Sequence, residues 1–508
     1  MSDSTLPQQL FRAEQVRQLD KLTIEVGGVP GIQLMKRAGR AVFDALLERW
    51  PNAERILVCA GGGNNAGDGY VIAALAAQRH MAVEVLSIAS PLSLKGDAQR
   101  AYQFALQEGV LVSVAESWST KMADVDGNTV IVDALLGTGL KGCVREDYFT
   151  AISAMNTSTA PVIAVDIPSG LCSDTGTVQG EAVQAELTVT FIGCKRGLLT
   201  GQAPAYTGQI LFDDLAIANI AKLESALAEV KPDSWRISTE SFKQKLKPRP
   251  VDAHKGLFGH AMMIGGDTGF GGAVAMAAEA CARSGVGLTS VATRPQYVTP
   301  ILVRLPEAMV AGVASGQELE PLLKRPSVVV IGPGLGQSPW SEQMLQQAFA
   351  TKLPLVLDAD GLNILAQGRV VPNAHRENWV LTPHPGEAAR LLGCSIADIQ
   401  ADRFAAAHQL QQRYGGVVVL KGAGTLIADE ENCYLANVGN PGMASGGMGD
   451  VLAGVIGGLI AQGMDLLHAA CLGVCVHGDA ADLAVLDGGE RGLLASDLIP
   501  YIRELLNA

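Results

Sequence analysis

The chain has 508 residues with a formal net charge of -13, 48% of them hydrophobic and 18% charged. At roughly 100–200 residues per domain, that length predicts two to four domains, each able to bury a core without disulfide or zinc staples. The acidic balance argues against a nucleic-acid partner, and 58 glycines beside 5% aromatic residues suit an α/β protein rather than a coiled coil or a disordered chain.

Nine cysteines, with no C-x-x-C pair among them, point to buried reduced thiols and so to the cytoplasm as the expected compartment. The opening Met1-Ser-Asp-Ser-Thr-Leu-Pro7 lacks the basic and apolar regions of a signal peptide. Apolar stretches such as Val451 to Met464 are too short and Gly-rich to span a bilayer, so no membrane partner is expected.

In chain order, Val16, Leu19, Leu22 and Val26 predict an opening helix that ends at Gly27-Gly-Val-Pro-Gly31. Ala38, Val42, Leu46 and Trp50 share the stripe of a second helix. Strands are expected at 55–60, 83–88, 129–133, 161–166 and 187–192, with a helix over 70–79. Near-continuous apolar strands between helices predict a parallel sheet covered on both faces. The rhythm lapses into charge and proline between Ala221 and Pro250, which places a boundary near residue 235 and gives expected domains 1–235 and 236–508. A fresh series follows, with strands at 260–264, 327–331, 355–358, 379–382 and 417–421. No internal repeat relates the halves, so two different three-layer α/β domains are expected.

Ligands of open parallel sheets sit beyond the carboxyl ends of the strands, so the residues following each strand carry the functional signal. The first such segment is Gly61-Gly-Gly-Asn-Asn-Ala-Gly-Asp-Gly69. It satisfies G-x-G-x-x-A, yet the next strand runs out in Ser87-Ile-Ala-Ser90 without an acidic residue for a ribose, which disfavours a hydride-transferring enzyme. Taken alone, a tight strand–helix turn explains it equally well. Asp133 precedes a second Gly loop, Asp166 precedes Ile-Pro-Ser169-Gly170, and Ile192 precedes Gly193-Cys-Lys195. Two carboxylates converging there repel by about 4 kcal/mol at 4 Å for an effective dielectric near 20, so they need a cation, a proton or Lys195 between them. Oxygens from Asn65, Asp133 and Ser169 suit a hard cation, and no His/Cys set competes for zinc.

Leu34-Met-Lys-Arg-Ala-Gly39, Asn64-Asn-Ala-Gly-Asp-Gly69, Asp133-Ala-Leu-Leu-Gly-Thr-Gly139, Asp166-Ile-Pro-Ser-Gly170 and Gly193-Cys-Lys195 together resemble the N-terminal, Rossmann-like domain of the NAD(P)H-hydrate repair enzymes. The resemblance implies an epimerase that interconverts the R and S hydrates of NADH or NADPH at C6. It implies that Asn65, Asp133 and Ser169 bind K⁺. It further implies that Asn64, Asn65, Ala66, Gly67 and Asp68, then Gly137, Thr138, Gly139, Leu140, Lys141, Gly142 and Cys143, and Asp166, contact the hydrate. Ala66 departs from the glycine common there, and its methyl requires a negative φ. Epimerisation needs a proton relay whether water leaves or the ring opens, and Asp166 with Lys195 is the expected pair.

In the second half, Gly265-Gly-Asp-Thr-Gly-Phe-Gly-Gly-Ala273, Gly332-Pro-Gly-Leu-Gly336, Asp358-Ala-Asp360, Thr382-Pro-His384-Pro-Gly-Glu387 and Lys421-Gly-Ala-Gly-Thr425 follow the strands. The sharpest segment runs from Asn437 through Ser445-Gly-Gly-Met-Gly-Asp450 into a small-residue helix expected over 451–463. Backbone N–H groups at such a helix start form an anion hole for a transferring phosphoryl group, and Asp450 stands where a base takes the proton of an attacking hydroxyl. A simple N-cap at Asp450 would not require the long Gly run before it. No G-x-x-x-x-G-K-[ST] occurs, which excludes a P-loop enzyme.

Gly446-Gly-Met-Gly-Asp450 resembles the signature of the ribokinase-like superfamily, and the other loops resemble its NAD(P)H-hydrate dehydratase branch. The resemblance implies that Lys421, Gly422, Ala423, Gly424, Thr425 and Gly449 bind the adenine nucleotide, and that Ala273, Gly334, Gly336, His384 and Asp450 bind the hydrate. It also implies an ADP-dependent reaction with Mg²⁺, in which phosphorylation at C6 and elimination restore the dihydronicotinamide with release of AMP and phosphate. The expected whole is a bifunctional repair enzyme with small-molecule nucleotide substrates, acting as a homo-oligomer. The alternative is a vitamin-precursor or sugar kinase whose N-terminal domain senses a nucleotide.

Overall fold

The computed structural model describes residues 6–115, 117–140 and 142–507. The chain divides into two compact units, Met1–Trp235 and Arg236–Ala508.

The sheet of the first unit has the strand order Leu111–Val114, Ala82–Ser87, Arg55–Ala60, Thr129–Ala134, Val162–Val165, Leu187–Phe191 and Gln209–Asp213. Every neighbouring pair is parallel. Alternate strand residues serve opposite faces. Ile56, Val58, Val130 and Val132 join the core under helices Gly31–Arg49 and Asn64–Gln78. Leu57, Cys59 and Ile131 join a second core with Trp118, Met122, Ile152 and Met155 of helices Trp118–Ala123 and Glu146–Thr157. The result is three layers, and the strand order reverses between Arg55–Ala60 and Thr129–Ala134, where a crevice forms beyond the carboxyl ends. A short strand, Gln9–Phe11, pairs in parallel with Cys194–Lys195, with Phe11 opposite Lys195.

Two sequence expectations shift here. The helix expected over 70–79 begins at Asn64, so the glycine loop is confined to Gly61–Gly63. Ala66 is therefore helical, and it is not among the residues with positive φ. The edge strands Leu111–Val114 and Gln209–Asp213 escaped notice because both are partly exposed and carry only half of an apolar pattern.

The second unit's sheet runs Met309–Gly312, Leu288–Thr293, His260–Ile264, Val328–Ile331, Leu355–Leu357, Trp379–Leu381, Val417–Leu420, Thr425–Ala428 and Cys433–Ala436. The first seven are parallel and the last two antiparallel. Ala261, Met263, Val328, Val330, Val356 and Val380 pack under the small-residue helices Gly271–Arg283 and Met448–Ala461 and the long helix Leu466–Gly488. The opposite face is held by helices such as Pro339–Ala350, whose Phe349 lies edge-on to the fully buried Trp379. The sheet reverses order between His260–Ile264 and Val328–Ile331.

The helix expected from 451 starts at Met448, which puts Asp450 in its first turn. Leu466–Gly488 is long and apolar enough to cross a membrane by length and composition, longer than the stretch singled out in the sequence. Yet 72% of its most apolar window is buried inside the protein, as for a core helix. Cys143 and Cys394 are exposed and Cys172 is partly so, which corrects the expectation that the thiols are all buried.

Candidate active sites

At the switch point of the first unit, Gly61 donates its N–H to Ala134 O at 3.0 Å, and a Cβ on Gly61 would sit 1.9 Å from Leu135 O. Glycine thus lets two strand-end loops touch, and beside them opens a cavity of about 790 Å³. Its lining includes Asn64, Asn65 and Asp68, the loop Leu135–Leu140, Asp166, Lys195 and Asp20.

Asp166 and Ile192 end neighbouring strands with φ of 67° and 63°. Each closes a three-residue turn: Ile167 N–H donates to Val165 O at 2.8 Å and Gly193 N–H to Phe191 O at 2.6 Å. Such turns are rare, and strain of about 1–3 kcal/mol each is held where the surroundings over-determine it, often at functional sites. Here they turn Asp166 toward Lys195. The Lys195 ammonium, buried with 1% of its side chain exposed, makes a direct ion pair with Asp166 Oδ1. It also donates to Thr190 Oγ1 at 3.0 Å and Phe191 O at 3.1 Å.

Asp133 has a different environment. Fully buried, it accepts from Ser169 N–H at 2.7 Å, Ser169 O–H at 2.5 Å and Leu135 N–H at 3.2 Å. Burial pushes its carboxyl up to about 6 against those hydrogen bonds, and no cationic side chain contributes. Ser169 Oγ accepts from Leu136 N–H at 2.8 Å, and Asn65 Nδ2 donates to Leu136 O at 2.9 Å. Asn65 and Ser169 therefore meet at Leu136, and Ser169 joins them to Asp133, a set of oxygen-bearing groups around a carboxylate without a counter-charge that fits a hard monovalent cation.

In the second unit, a Cβ on Gly265 would lie 2.0 Å from Pro333 O, the same close crossing of loops at the switch point. At the strand ends farther along the sheet, Asp358, Asp360, Glu387, Lys421 and Asp450 form one charged cluster. Lys421 Nζ lies 2.7 Å from Asp358 Oδ1 and 3.8 Å from Glu387 Oε2. Burial opposes the charge of Lys421, but Asp358 and Glu387 outweigh it and hold the ammonium above its usual range. Thr382 O–H donates to Asp358 Oδ1 at 2.7 Å. Burial pushes Asp450 up to about 7; Asp358 adds to the rise and Lys421 opposes it. Gly449 brings the helix start against this cluster, since a Cβ there would lie 3.2 Å from Lys421 Nζ and 3.5 Å from Asp358 Oδ2.

A family model described as NAD(P)H-hydrate dehydratase matches residues 261–504. Another, described as YjeF-related protein N-terminus, matches residues 31–197. The bifunctional NAD(P)H-hydrate repair enzyme Nnr of Coxiella burnetii is 49% identical over 500 residues, covering 98% of this chain and 99% of that one. The chain belongs to the bifunctional NAD(P)H-hydrate repair enzymes. The Escherichia coli relative of the same description is 43% identical, covering 99% of this chain and 95% of that one. Among solved structures, a ribokinase-like superfamily protein from Enterococcus faecalis is similar over 54% of this chain and 95% of that one, at 31% identity and a TM-score of 0.49.

In this repair enzyme, Asn64, Asn65, Asp68, Gly137, Thr138, Gly139, Leu140, Cys143 and Asp166 line the first cavity. Ala66 and Gly67 do not: both are buried on the inner side of their helix, where a Cβ on Gly67 would strike Met35. Gly142 lies outside the lining, and Lys141 lies outside the described residues. His384 accepts at Nδ1 from Gly386 N–H at 2.9 Å and caps its helix, leaving half its side chain exposed at the second site. Gly334 and Gly336 adopt φ of 58° and 67°, and Gly334 abuts Ala273. The loop Lys421–Thr425 turns through Gly422 and Gly424 with φ of 142° and 62°.

Sequence reasoning missed Asp20, Arg17, Arg145 and Tyr148, which line the first cavity. It also missed Arg403, whose buried guanidinium donates to Leu420 O at 3.2 Å and to Lys421 O and Gly424 O at 3.4 Å. The signal for Asp20 was a carboxylate directly beside Leu19 in the buried stripe of the first helix.

Proposed function

We propose that the first unit interconverts the R and S hydrates of NADH and NADPH at C6, and that the second dehydrates the S form with ADP. The observation that carries this reading is a lysine among carboxylates beyond the strand ends of each sheet, two distinct proton-handling sites on one chain. In the first, Asp166, oriented by Lys195, exchanges a proton with the C6 hydroxyl or the water that replaces it. Asn65, Asp133 and Ser169 are the residues that would hold K⁺, which supplies positive charge beside a buried carboxylate.

In the second, Asp450 takes the C6 hydroxyl proton as that oxygen attacks the β-phosphoryl group of ADP. The P–O bond to AMP breaks, and the N–H groups at the start of Met448–Ala461 receive the developing charge. The C6–O bond of the phosphate ester then breaks as C5 loses a proton, which leaves the reduced nicotinamide and inorganic phosphate. Lys421 to Thr425 and Gly449 hold the nucleotide, and Ala273, Gly334, Gly336 and His384 hold the hydrate. Among the described residues no group of three or more His, Cys, Asp or Glu is arranged to hold a metal ion. That suits Mg²⁺ carried in on the phosphates of ADP. A cytoplasmic homo-oligomer is the form proposed.

The test is the full chain with ADP, K⁺ and Mg²⁺ on a mixture of R and S hydrates. Full recovery of reduced-nicotinamide absorbance is expected. A plateau at the S fraction would remove the epimerase, and a stable phosphorylated product would make the second unit a kinase.

A further inference from the structure

The first helix, Ala13–Glu25, carries a carboxylate into the first cavity that no expectation above includes. Its placement follows from the backbone. The strand Gln9–Phe11 runs beside Cys194–Lys195, with Phe11 opposite Lys195, so the helix departs next to the buried lysine. Its first turn is tied down by Ala13 N–H donating to Asp174 Oδ1 at 2.7 Å and by the Arg12–Asp233 ion pair at 2.9 Å. The helix lies directly on Gly193, where a Cβ would come within 3.1 Å of Val16 and 3.3 Å of Leu19. Asp20, the residue after Leu19, thereby reaches the cavity that Asp68, Asp166 and Lys195 also line.

We infer that Asp20 is the general acid of the first site, handing a proton to the departing C6 hydroxyl while Asp166 takes the proton of the water that replaces it. The inference rests on the epimerase reading of this unit. Three carboxylates face one ammonium, and Lys195 is committed to Asp166 by their ion pair. Among the described residues neither Asp20 nor Asp68 has an ion-pair partner. Facing Asp20 are Lys195, Asp166 and Asp68, with Arg17 on its own helix lining the same cavity. Burial raises Asp20 to about 6, with Lys195 opposing and Asp166 adding to the rise, so its proton exchanges near neutral pH. Burial, reinforced by Asp166 and Asp20, also raises Asp68 well above the usual carboxylate range. An acid works best when it titrates near the working pH, as Asp20 does.

The step balances without any further reactant. The Asp20 carboxyl proton moves to the C6 hydroxyl, the C6–O bond breaks with its electron pair leaving on water, and the N1 lone pair forms C6=N1⁺. Water adds to the other face of C6 and its proton passes to Asp166, and exchange with solvent then carries a proton from Asp166 back to the Asp20 carboxylate.

The test uses the full-length chain without ADP, so that the second unit is silent, and follows the epimer ratio of the pure R hydrate against pH. The wild-type rate is expected to fall as pH rises above about 6. Asp20→Asn is expected to lower the rate at least ~100-fold at low pH and to abolish that fall, with KM changed less than about three-fold. Asp20→Glu is expected to restore the fall. Asp20→Asn within about three-fold of wild type, or showing the same fall, overturns the assignment. Where Asp20→Asn no longer binds hydrate, the wild-type profile decides, and a flat one overturns it. A wild-type chain that leaves the R hydrate unchanged takes down the epimerase reading itself, whereas an active chain indifferent to Asp20→Asn sinks Asp20 alone.

Discussion

The two sites are built from the same parts and wired differently. In each, a glycine after a central strand lets two loops cross at the switch point, Gly61 against Leu135 O and Gly265 against Pro333 O. In each, a lysine at a strand end meets several carboxylates. Lys195 is bound to Asp166, the carboxylate proposed to exchange protons. Lys421 is instead taken by Asp358 and Glu387, and burial with Asp358 raises Asp450 to about 7 against the opposing charge of Lys421. The lesson is that the lysine's choice of partner, rather than its presence, distinguishes the sites: in one the lysine orients the proton-exchanging Asp166, and in the other it is held by Asp358 and Glu387.

The largest expected effect separates the two wirings. Asp450→Asn should lower ADP-dependent dehydration by at least ~100-fold while epimerisation of the R hydrate continues at its wild-type rate. Asp166→Asn should do the reverse. Parallel rate measurements on one preparation of each variant check this, and any variant that silences both activities would show that the sites are not separate devices.

A smaller effect tests the wiring of Lys421. Asp450 acts as a base, so dehydration should rise with pH through about 7. Lys421→Met removes the cation that opposes this rise and should move the midpoint of the pH–rate profile upward. The stability sign runs the other way. With a folded value of about 7 against the usual 3.8, the contribution of Asp450 to folding is fully present below 3.8 and lost as pH rises through about 7. Asp450→Asn should therefore raise the thermal midpoint of the second unit at pH 8 and not at pH 4.

Much of this was legible in the sequence, for a physical reason. Buried parallel strands such as Arg55–Ala60 and His260–Ile264 are apolar after their first residue, and their ends are marked by glycine or a polar residue. Edge strands such as Met309–Gly312 and Leu111–Val114 are half-exposed and leave no such run. Site residues on strand-end loops could be named because they follow the strands directly. Asp20 and Arg403 were passed over because each reaches its site from a helix rather than from a strand end. The glycine-rich helix starts at Asn64 and Met448 were placed several residues late because glycine reads as loop while backbone N–H groups still close the first turn.

The smallest effect probes the approach of helix to lysine. A Cβ on Gly449 would meet only the far end of Lys421 at 3.2 Å and Asp358 Oδ2 at 3.5 Å, and its φ is not positive, so the backbone is unstrained. A flexible ammonium can yield by a few tenths of an ångström, whereas the backbone carbonyl 1.9 Å from a Cβ on Gly61 cannot. Gly449→Ala should therefore fold normally and raise KM for ADP about 3- to 10-fold, about 0.7–1.4 kcal/mol of lost binding, with kcat within two-fold. Gly61→Ala should disrupt the first unit altogether. Steady-state kinetics for the first and thermal unfolding for the second check the pair. If Gly449→Ala cost kcat rather than KM, Gly449 itself would act in the chemical step rather than in holding the nucleotide.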